Sequence, residues 1–578
     1  MILVFGGTTE GRKAVEVLEE AGTDYYYSTK TGEQDVATNH GIRLDGALDG
    51  EAMTACCREH QIRLMVDAAH PFASRLHKTI ADVARALTIP VVRYERIYPP
   101  RNPEYTWIDD YTEVPADVRS LLATTGVQSI GKLKYLEARG VRVVYRILNR
   151  ESSIRLAHEQ GATDDQLCYY EDGSAIDVEA DAILLKESGL SGGFEQKVKA
   201  AQERGMRIVV LRRPELHFEH TVNGPYGLRR TVERLLPEFY ALHSGLTTGT
   251  CATAAAIAAT LRLTRGVTPD EVPVILPDGE TIMVAVGYGE GYACCTKEAG
   301  DDPDVTDGLE IRAAVEPAER LEIRGGDGVG RFTLPGFDYP PGEAAINKGP
   351  RQMMRDNISE QVRITISVPG GEETARKTFN PRLGIEGGIS IIGVSGIVKP
   401  FSEEAFIQSI RKCMEVAKAS GSQRVVINSG AKSERYVRSC YPSLPRQAFV
   451  EYGNYIGETL AMADELHFAH VTLGVMLGKA VKLAEGHLDT HSRRATMNKR
   501  FISEMLAEAG CSISHDYTLA RELWQAIPKN KIEDFVHVVL HHCLQHCQPL
   551  VPQAELTILL IDDDGTIYSL SQEHPQGR

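Results

Sequence analysis

The amino-acid sequence predicts an α/β protein whose N-terminal part forms two Rossmann-like lobes of parallel sheet, followed by an α+β domain and a second α/β domain. Over residues 1–243, short apolar runs alternate with helical periodicity in two successive sets. This alternation is typical of a parallel sheet with helices on both faces. At Ser244 a Gly/Thr turn leads into an alanine-rich helix and strand-like segments, and after residue 403 the alternation returns.

Each element is predicted from its own pattern. In the first lobe, strands are expected at Ile2–Phe5, 25–28, 64–68 and Val91–Tyr94, with helices over 10–21 and Ser74–Leu87. In the second lobe, strands are expected at 141–145, Ala182–Lys186 and Arg207–Leu211, with helices over 193–204 and 229–242. Later strands are expected at 272–277, 282–286, 321–324, Arg424–Asn428 and 470–473. An Asp-Gly pair within residues 556–570 predicts a C-terminal hairpin.

These elements divide the chain into three parts. Residues 1–243 form the two lobes, about 1–118 and 119–243. Residues 244–548 form the α+β domain (about 244–402) and the second α/β domain (about 403–548), and residues 549–578 form a hairpin and tail. A chain of 578 residues is too long for one hydrophobic core, so several domains are expected.

Charge and composition exclude several classes of function. The formal net charge of −16 argues against a nucleic-acid or anionic-membrane partner, because both require a basic face. The apolar runs are too short to span a bilayer, and the N-terminus lacks the basic region of a signal peptide. We therefore expect a cytoplasmic protein, with its 11 scattered cysteines reduced.

A glycine-rich turn follows the first strand: Gly6-Gly7-Thr8-Thr9-Glu10-Gly11-Arg12. Glycines let the backbone approach a pyrophosphate, and the N–H groups of the following helix hold phosphates, so this turn predicts a dinucleotide site. A βα turn without a ligand is the alternative. Ser28-Thr29-Lys30 occupies the place where an NAD-specific site usually carries an acid. Hydroxyls and an ammonium suit a 2′-phosphate, which favours NADPH over NADH, unless these are only exposed loop residues.

Further segments complete a resemblance over residues 1–240. They are Asp67-Ala68-Ala69-His70-Pro71-Phe72-Ala73, Pro90-Val91-Val92-Arg93-Tyr94-Glu95-Arg96, Leu185-Lys186-Glu187-Ser188-Gly189, Gly192-Gly193 and Arg212-Arg213-Pro214. With the glycine turn, they resemble the precorrin-6A reductase family. The resemblance implies hydride transfer from NAD(P)H to a conjugated carbon of a macrocycle, with a proton added beside it.

The resemblance also implies site residues in this half. His70 either donates the proton or only caps a turn, and Lys186 is the second catalytic candidate. Cationic side chains are candidate clamps for the substrate's carboxylates, although each arginine alone is more often structural. The candidate substrate contacts are Arg93, Arg96, Lys186, Ser188, Gly189, Arg212 and Arg213.

The C-terminal half opens with Thr247-Thr248-Gly249 at a predicted helix start. The threonines either cap exposed N–H groups or help to bind a carboxylate or phosphate. Farther on, Asp301, Asp302, Asp304 and Asp307 lie close together in sequence. They form an acidic turn, supply a catalytic base or bind a divalent metal, but their spacing is not that of an EF-hand. No metal is predicted.

A second resemblance covers this half. Its motifs are Thr247-Thr248-Gly249, Gly300-Asp301-Asp302-Pro303-Asp304-Val305-Thr306, Gly325-Gly326-Asp327-Gly328-Val329-Gly330, Ala345-Ile346-Asn347, Asn380-Pro381-Arg382-Leu383-Gly384-Ile385-Glu386-Gly387-Gly388-Ile389-Ser390, Gly396-Ile397-Val398 and Thr490-His491-Ser492. They resemble the cobalt-precorrin-5B carbon-1 methyltransferases. The resemblance implies methyl transfer from S-adenosylmethionine, which depends mainly on bringing donor and acceptor together in a dry site.

Site residues follow for this half as well. Asn428, Ser429 and Gly430 are expected to contact the adenosyl group, with His491 as a catalytic candidate. The candidate substrate contacts are Thr247, Thr248, Asp301, Asp302, Lys479, Lys482 and Thr490. Gly474-Val475-Met476-Leu477-Gly478-Lys479 lacks the histidine that the family tends to have there. A non-catalytic tetrapyrrole-binding module is therefore the alternative for this half.

Residues 537–547 read HVVLHHCLQHC, which places His and Cys side chains at helical spacing. Zinc uses such ligands, but no complementary ligand pair stands out elsewhere in the sequence. An exposed helix is the preferred interpretation.

Together the resemblances imply a fusion of consecutive steps of cobalamin biosynthesis, in which the methyltransferase product is the reductase substrate. The implied cofactors are NADPH or NADH and S-adenosylmethionine. The implied partners are cobalt-tetrapyrrole substrates and other corrin-pathway enzymes, with no nucleic acid and no membrane. Linking the sites raises the effective concentration at the second site, and channelling is a hypothesis that follows.

Overall fold

A computed structural model describes residues 1–30, 36–170, 177–492, 494–513 and 517–570. It divides into two compact units. The first contains Met1–Ser244 together with Pro273–Val284, and the second contains Gly245–Val272 and Ala285–Arg578. Among the described residues, no helix has the length and apolar character needed to cross a bilayer.

The first unit alternates strands and helices, as the sequence predicts. Its elements in residues 1–244 are β1 (Ile2–Phe5), α1 (Thr9–Glu19), β2 (Tyr25–Thr29), β3 (Gly41–Asp45), α2 (Gly50–Glu59), β4 (Leu64–Asp67), α3 (Ser74–Leu87), β5 (Val91–Tyr94), β6 (Thr106–Ile108), β7 (Ser120–Ala123), α4 (Ile130–Ala138), β8 (Arg142–Leu148), α5 (Glu151–Glu159), β9 (Leu167–Tyr170), β10 (Ala182–Lys186), α6 (Phe194–Glu203), β11 (Arg207–Leu211), β12 (His220–Val222) and α7 (Pro225–Leu235).

These strands form two six-stranded parallel sheets, which confirms the predicted two-lobed fold. The first has the order β12-β5-β4-β1-β2-β3 and the second has the order β6-β11-β10-β7-β8-β9. The central strand β1 is buried along its whole length, because helices cover both faces of the sheet.

The sequence suggested a boundary between the lobes at about residue 118, but the chain does not divide there. Strand β6 already belongs to the second sheet, and β12 returns to pair with β5 of the first. The helix expected over residues 229–242 was also placed too late in the sequence. Helix α7 begins at Pro225, whose fixed φ suits the first helical position, and ends at Leu235 before Pro237.

The chain from residue 245 to residue 398 forms the predicted α+β region. Its elements are β13 (Gly245–Leu246), α8 (Thr248–Arg265), β14 (Glu271–Ile275), β15 (Thr281–Ala285), β16 (Gly287–Gly289), β17 (Tyr292–Thr296), β18 (Glu310–Pro317), β19 (Glu322–Gly325), β20 (Gly328–Val329), β21 (Arg331–Phe332), α9 (Lys348–Asn357), β22 (Val362–Ser367), α10 (Gly371–Ala375), α11 (Asn380–Leu383), β23 (Ile385–Glu386), β24 (Gly388–Ile389) and β25 (Ile397–Val398). Helix α8 packs on the five-stranded sheet β16-β17-β18-β22-β19, since its small alanine side chains permit close approach.

The last part of the chain forms a second α/β sheet. Its elements are α12 (Glu403–Ala419), β26 (Arg424–Asn428), α13 (Ala431–Cys440), β27 (Phe449–Glu451), α14 (Ile456–Glu465), β28 (His470–Met476), α15 (Leu477–Ala484), α16 (Lys499–Glu508), α17 (Ala520–Ala526), α18 (Ile532–Cys547), β29 (Glu555–Ile561) and β30 (Ile567–Tyr568). The sheet order is β27-β26-β28-β29-β30. The first four strands are parallel and β30 is antiparallel.

The expected C-terminal hairpin exists, because β29 pairs with β30 across the Asp-Gly turn. It is not a separate tail, however. Strand β29 also pairs with β28 along seven residues and lies inside the sheet, so the second α/β domain extends to Tyr568. Its apolar run Ile558–Ile561 is buried, as expected of a strand covered on both faces.

Candidate functional site

The glycine turn after β1 is shaped by close contacts. Gly7 has φ +87°, a conformation that favours glycine. A Cβ on Gly11 would lie 2.8 Å from the Cα of Gly6, so only glycine lets α1 start this close to the strand. Thr8 caps α1, since its Oγ1 accepts the N–H of Gly11 at 3.0 Å and donates to Ala68 O at 2.7 Å. Thr9 and Arg12 lie on the first turn of α1, where Arg12 is exposed.

Ser28, Thr29 and Lys30 lie at the carboxyl end of β2, the neighbour of β1. Ser28 and Thr29 are buried, whereas Lys30 is exposed. Lys30 is therefore the member of this group that presents charge to solvent at the edge where dinucleotides bind.

Glu10 and Arg96 form a buried ion pair beside the glycine turn. The Arg96 Nε donates to Glu10 Oε2 at 2.9 Å, and its Nη1 donates to Ser188 O in the second lobe at 2.8 Å. The Ser191 hydroxyl also donates to Glu10. Arg96 therefore joins α1 to the second lobe. The expected role of Arg96 as a substrate clamp is wrong, because its guanidinium is buried on protein partners.

Arg93 is likewise not a substrate clamp. It is 1 % exposed, and its Nη1 donates to Asp67 Oδ1 at 3.0 Å, to Asp67 O at 3.0 Å and to Ala69 O at 2.9 Å. The other Asp67 oxygen lies 2.6 Å from His77 Nδ1. This buried network fixes the end of β4, which carries His70, and sequence reasoning did not identify His77.

His70 and Lys186 come from different lobes and lie near the same aromatic ring. The His70 and Phe72 ring centroids are 5.9 Å apart, and Lys186 Nζ lies 5.0 Å from the Phe72 centroid. Burial, and next the positive charge of Arg96, lowers the pKa of His70 to about 3. Its Nδ1 accepts the Phe72 N–H at 3.2 Å, so the neutral ring carries its proton on Nε2.

Burial also lowers the pKa of the Lys186 ammonium, to about 8, with smaller effects from Lys132 and then Lys197. Among the hydrogen bonds of the described residues, Lys186 Nζ has no partner, whereas Lys197 Nζ donates to Gly192 O at 3.3 Å. The positive charges of Lys132 and Lys197 thus act on Lys186, and the sequence analysis identified neither residue.

The remaining candidates of the second lobe have protein partners. Arg212 Nη1 lies 2.8 Å from Asp109 Oδ2, and Arg213 Nη1 lies 2.6 Å from Glu187 Oε1. Both guanidiniums are about one-third exposed. The Ser188 hydroxyl donates to Gly192 O at 3.2 Å, and Gly189 has φ +70°. Ser188 and Gly189 shape the loop after β10, which begins directly after Lys186.

In the second unit, the two threonines at the start of α8 both have protein partners. Thr247 caps α8 by accepting the Thr250 N–H at 3.2 Å, and Thr248 Oγ1 accepts the Ile392 N–H at 2.9 Å. The acidic turn is also tied internally: Asp302 accepts the Phe401 N–H at 2.9 Å, and Asp304 pairs with Lys297 at 3.1 Å. Asp301 is exposed.

The loop after β26 lies at the point where the strand order of the last sheet reverses, between β26 and β28. Ligands of open α/β sheets bind at such switch points. Asn428 is buried and holds the turn by accepting the Gly430 N–H at 3.0 Å. Ser429 N donates to Ser433 Oγ at 3.0 Å. A Cβ on Gly430, whose φ is +135°, would lie 3.1 Å from Glu451 Oε1.

Glu451 ends β27, the strand beside β26, about 20 residues after the loop. An acid at this position holds a ribose hydroxyl in dinucleotide-binding sheets. Sequence reasoning missed Glu451, although the same spacing rule would have found it.

Lys479, Lys482 and Thr490 meet at one end of this sheet. Lys479 Nζ donates to Gly453 O and, at 2.9 Å, to Asn454 Oδ1. Lys482 Nζ donates to Thr490 O at 3.2 Å, and the Thr490 N–H donates to Asn454 O at 3.1 Å. Burial lowers the pKa of Lys479 to about 8, with a smaller effect from Lys482. His491 follows directly, half-buried, with its N–H donated to Asp489.

The His/Cys segment forms α18. Cys543 and Cys547 are buried in the core, while His541 is exposed and hydrogen-bonded to Gln545, and His542 pairs with Glu508. The cysteines face the core and the histidines lie on the outer side of α18, so the two kinds of side chain are separated. Within the described ranges, no group of three or more His, Cys, Asp or Glu side chains is arranged to hold a metal ion.

Comparison with protein families gives three matches along the chain. Residues 1–225 match the family described as "Precorrin-6x reductase CbiJ/CobK". Residues 237–400 match "CbiD", and residues 489–571 match "CbiD, C-terminal domain".

Individual relatives point the same way for the second part of the chain. The "Cobalt-precorrin-5B C(1)-methyltransferase" of Prosthecochloris aestuarii is 42% identical over 359 residues, which are 58% of this chain and 97% of the relative. The protein of that name from Geobacillus kaustophilus is 43% identical over 287 residues, 47% of this chain and 77% of the relative.

Two solved structures are also similar. The "cobalamin biosynthesis protein (cbiD) from Archaeoglobus fulgidus" is 30% identical, covering 44% of this chain and 83% of that chain, with a TM-score of 0.26. "CobK precorrin-6A reductase" is 16% identical, covering 41% of this chain and 96% of that chain, with a TM-score of 0.33.

Proposed function

Because this chain belongs to the cobalt-precorrin-5B C(1)-methyltransferase family and carries a precorrin-6x reductase domain in its first 225 residues, we propose that it performs two consecutive steps of corrin-ring synthesis. The second part methylates cobalt-precorrin-5B at carbon 1 with S-adenosylmethionine. The first part then reduces the product, cobalt-precorrin-6A, with NADPH. The presence of both family domains in one chain is the observation that carries the proposal.

The glycine turn after β1 fits a dinucleotide. Gly7 adopts a positive φ, and a Cβ built on it would meet nothing within 4 Å, so the turn leaves open space for a ligand. The positive end of the α1 dipole favours a pyrophosphate there. The Lys30 ammonium then holds the 2′-phosphate, which selects NADPH. When bound, the nicotinamide supplies a hydride.

Lys186 supplies the proton for the neighbouring carbon. With a pKa of about 8, the lysine is mostly an ammonium at neutral pH, yet it gives up its proton more readily than an ordinary lysine. Nζ transfers one proton to the substrate and regains one from water. His70 is unsuited to this role, because a side chain with a pKa of about 3 carries no imidazolium at neutral pH. Its neutral ring instead orients the substrate by donating from Nε2.

Lys132 and Lys197 attract the carboxylate arms of the macrocycle to this site. Their charges act on Lys186, so they lie near enough to act on a polyanion bound beside it. Arg212 and Arg213, each partly exposed, follow β11, which pairs with β10, and supply further positive charge at these strand ends.

In the methyltransferase part, the loop Asn428–Gly430 contacts the adenosyl group and Glu451 accepts hydrogen bonds from the ribose hydroxyls. The fit rests on two observations: the glycine at position 430, which leaves the backbone accessible, and the Glu451 carboxylate directly beside it. The cosubstrate supplies the methyl group. Lys479 and Lys482 hold in place the loops that contain Asn454 and Thr490. His491, which follows Thr490, contacts a substrate carboxylate.

The proposal is tested by adding cobalt-precorrin-5B, S-adenosylmethionine and NADPH to the purified chain. We expect a product that has gained a methyl group and two hydrogens, and with NADPH omitted a product that has gained only the methyl group. A chain that reduces supplied cobalt-precorrin-6A but never methylates cobalt-precorrin-5B would favour the alternative, a tetrapyrrole-binding module fused to a reductase.

The reactants are small, diffusible molecules, so we further propose a cytoplasmic location and exchange of intermediates with other corrin-pathway enzymes.

A further inference from the structure

The reductase unit includes a segment that lies far from it in sequence. Residues 273–284, which fall inside the stretch matching the CbiD family, belong to the same compact unit as residues 1–244. They contain most of β14 and β15, which pair as a two-stranded sheet closed by a turn in which Leu276 N donates to Glu280 O at 2.7 Å. We call this two-stranded segment, Glu271–Ala285, the hairpin.

Glu280 anchors the hairpin on helix α7. Its side chain is buried, 1 % exposed, and accepts the N–H groups of Tyr226, at 3.0 Å, and of Gly227. These are the first free N–H groups of α7, so the carboxylate caps the positive end of that helix. Burial is also the main reason that the pKa of Glu280 rises to about 7.

Two glycines leave the space that this carboxylate occupies. A Cβ on Gly224 would lie 2.3 Å from Glu280 Cδ, and a Cβ on Gly227 would lie 2.9 Å from Glu280 Oε1. Any other residue at either position would displace the carboxylate. The backbone adds a further contact, because Thr281 N donates to Asn223 Oδ1 at 2.8 Å.

The hairpin turn also lies close to the segment that carries Arg96. A Cβ on Gly279, at the hairpin turn, would be 3.8 Å from Ile97 Cδ1. The strand leading into α7 also holds this segment, since Glu95 N donates to Val222 O at 2.7 Å. Arg96 lies between these contacts and pairs with Glu10 beside the glycine turn.

We propose that the hairpin is a working part of the reductase, with Glu280 as a positioning residue for the segment that carries Arg96. The hairpin fixes the start of α7 and the position of Ile97, and these fix Arg96 and the Glu10 end of α1. The dinucleotide site thus depends on residues contributed by the methyltransferase-family sequence. This inference rests on the proposed reductase function.

The test compares Glu280→Ala and Glu280→Gln with wild type in the full chain. Glu271→Ala is the matched control, because Glu271 is an exposed acid at the start of the same hairpin. We expect NADPH binding, measured by calorimetry, to weaken about three- to tenfold in Glu280→Ala, because Glu280 acts on the cofactor only through the position of the segment that carries Arg96. Methyl transfer and S-adenosylmethionine binding should stay at wild-type levels in all variants. Glu280→Gln should recover part of the NADPH affinity, since its amide oxygen still accepts one N–H.

Amide hydrogen exchange at residues 226–227 gives a readout that is independent of activity. We expect faster exchange there in Glu280→Ala than in wild type and Glu271→Ala. Wild-type NADPH affinity in Glu280→Ala would overturn the inference, even with faster exchange at residues 226–227, and so would an equal loss of both activities. If the wild-type chain binds no NADPH, although exchange is faster in Glu280→Ala than in wild type, the proposed reductase function is overturned, and with it the role given to Glu280.

Discussion

Replacing Lys186 tests the assignment of the proton donor, because its lowered pKa predicts a specific pH profile. With a pKa of about 8, the side chain is about 90% ammonium at pH 7 and about 10% at pH 9. Since kcat/KM reports the ionisation of the enzyme before substrate binds, this constant should fall about tenfold for each pH unit above 8. The falling limb should lie well below the pH at which an ordinary lysine titrates.

Lys186→Met removes the acid. We expect reduction of cobalt-precorrin-6A to slow by about 100-fold or more at neutral pH, the range in which positioned general acids contribute. The high-pH limb should disappear, because the residual reaction takes its proton from water. The assay follows NADPH oxidation by absorbance between pH 6 and pH 10.

Lys132→Met is the matched control. It removes a neighbouring positive charge that lowers the pKa of Lys186, so the limb should move to higher pH. KM for the polyanionic substrate should rise, whereas kcat at neutral pH should remain within a few-fold of wild type. A Lys186→Met enzyme with the wild-type limb would refute the assignment, and so would a Lys132→Met enzyme whose limb moves to lower pH.

Three further changes test other parts of the two sites. Arg96→Met leaves the buried Glu10 without its guanidinium, and urea unfolding should show a loss of about 3–5 kcal/mol, whereas Arg85→Met, in an exposed pair with Asp82, should cost under about 1 kcal/mol. Glu451→Gln should weaken S-adenosylmethionine binding about 10- to 100-fold by calorimetry, with the exposed Glu458→Gln unchanged; equal affinities would place the ribose elsewhere. Lys30→Glu should raise KM for NADPH about tenfold or more and leave KM for NADH nearly constant, and parallel changes in both constants would exclude Lys30 from contact with the 2′-phosphate.

The buried strands were predictable because their signal is local. Ile2–Phe5, Ala182–Lys186 and Arg424–Asn428 are short apolar runs bounded by turn residues, and their bounds agree with the structure. The glycine turn was equally predictable from the sequence, since its backbone conformation requires Gly7 and its close packing requires Gly11. Edge strands gave a weaker signal. β3 is largely exposed and carries polar residues, so neither its hydrophobicity nor its period distinguishes it from a loop.

The pairing of strands that are distant in the chain could not be predicted from the sequence. Nothing in the residues of β12 or β29 says which distant strand each joins, and so the lobe boundary and the C-terminal tail were misplaced. The substrate-binding roles predicted for Arg93 and Arg96 were wrong for a related reason. Arg93 is the type of residue that binds substrate carboxylates, but Asp67 at the end of β4 and Ala69 in the loop after it accept its hydrogen bonds and bury it. Only the fold distinguishes a buried arginine from an exposed one.

The same buried arginines explain how a site built from two lobes keeps its geometry. Arg93 fixes the end of β4, where His70 lies, and Arg96 ties the Glu10 end of α1 to Ser188, two residues after Lys186. Each guanidinium is desolvated, so breaking either set of contacts leaves an unpaired buried charge and costs several kcal/mol. The glycine turn and Lys186 are therefore held at a fixed separation, which is what the proposed transfer of a hydride and a proton to adjacent carbons requires.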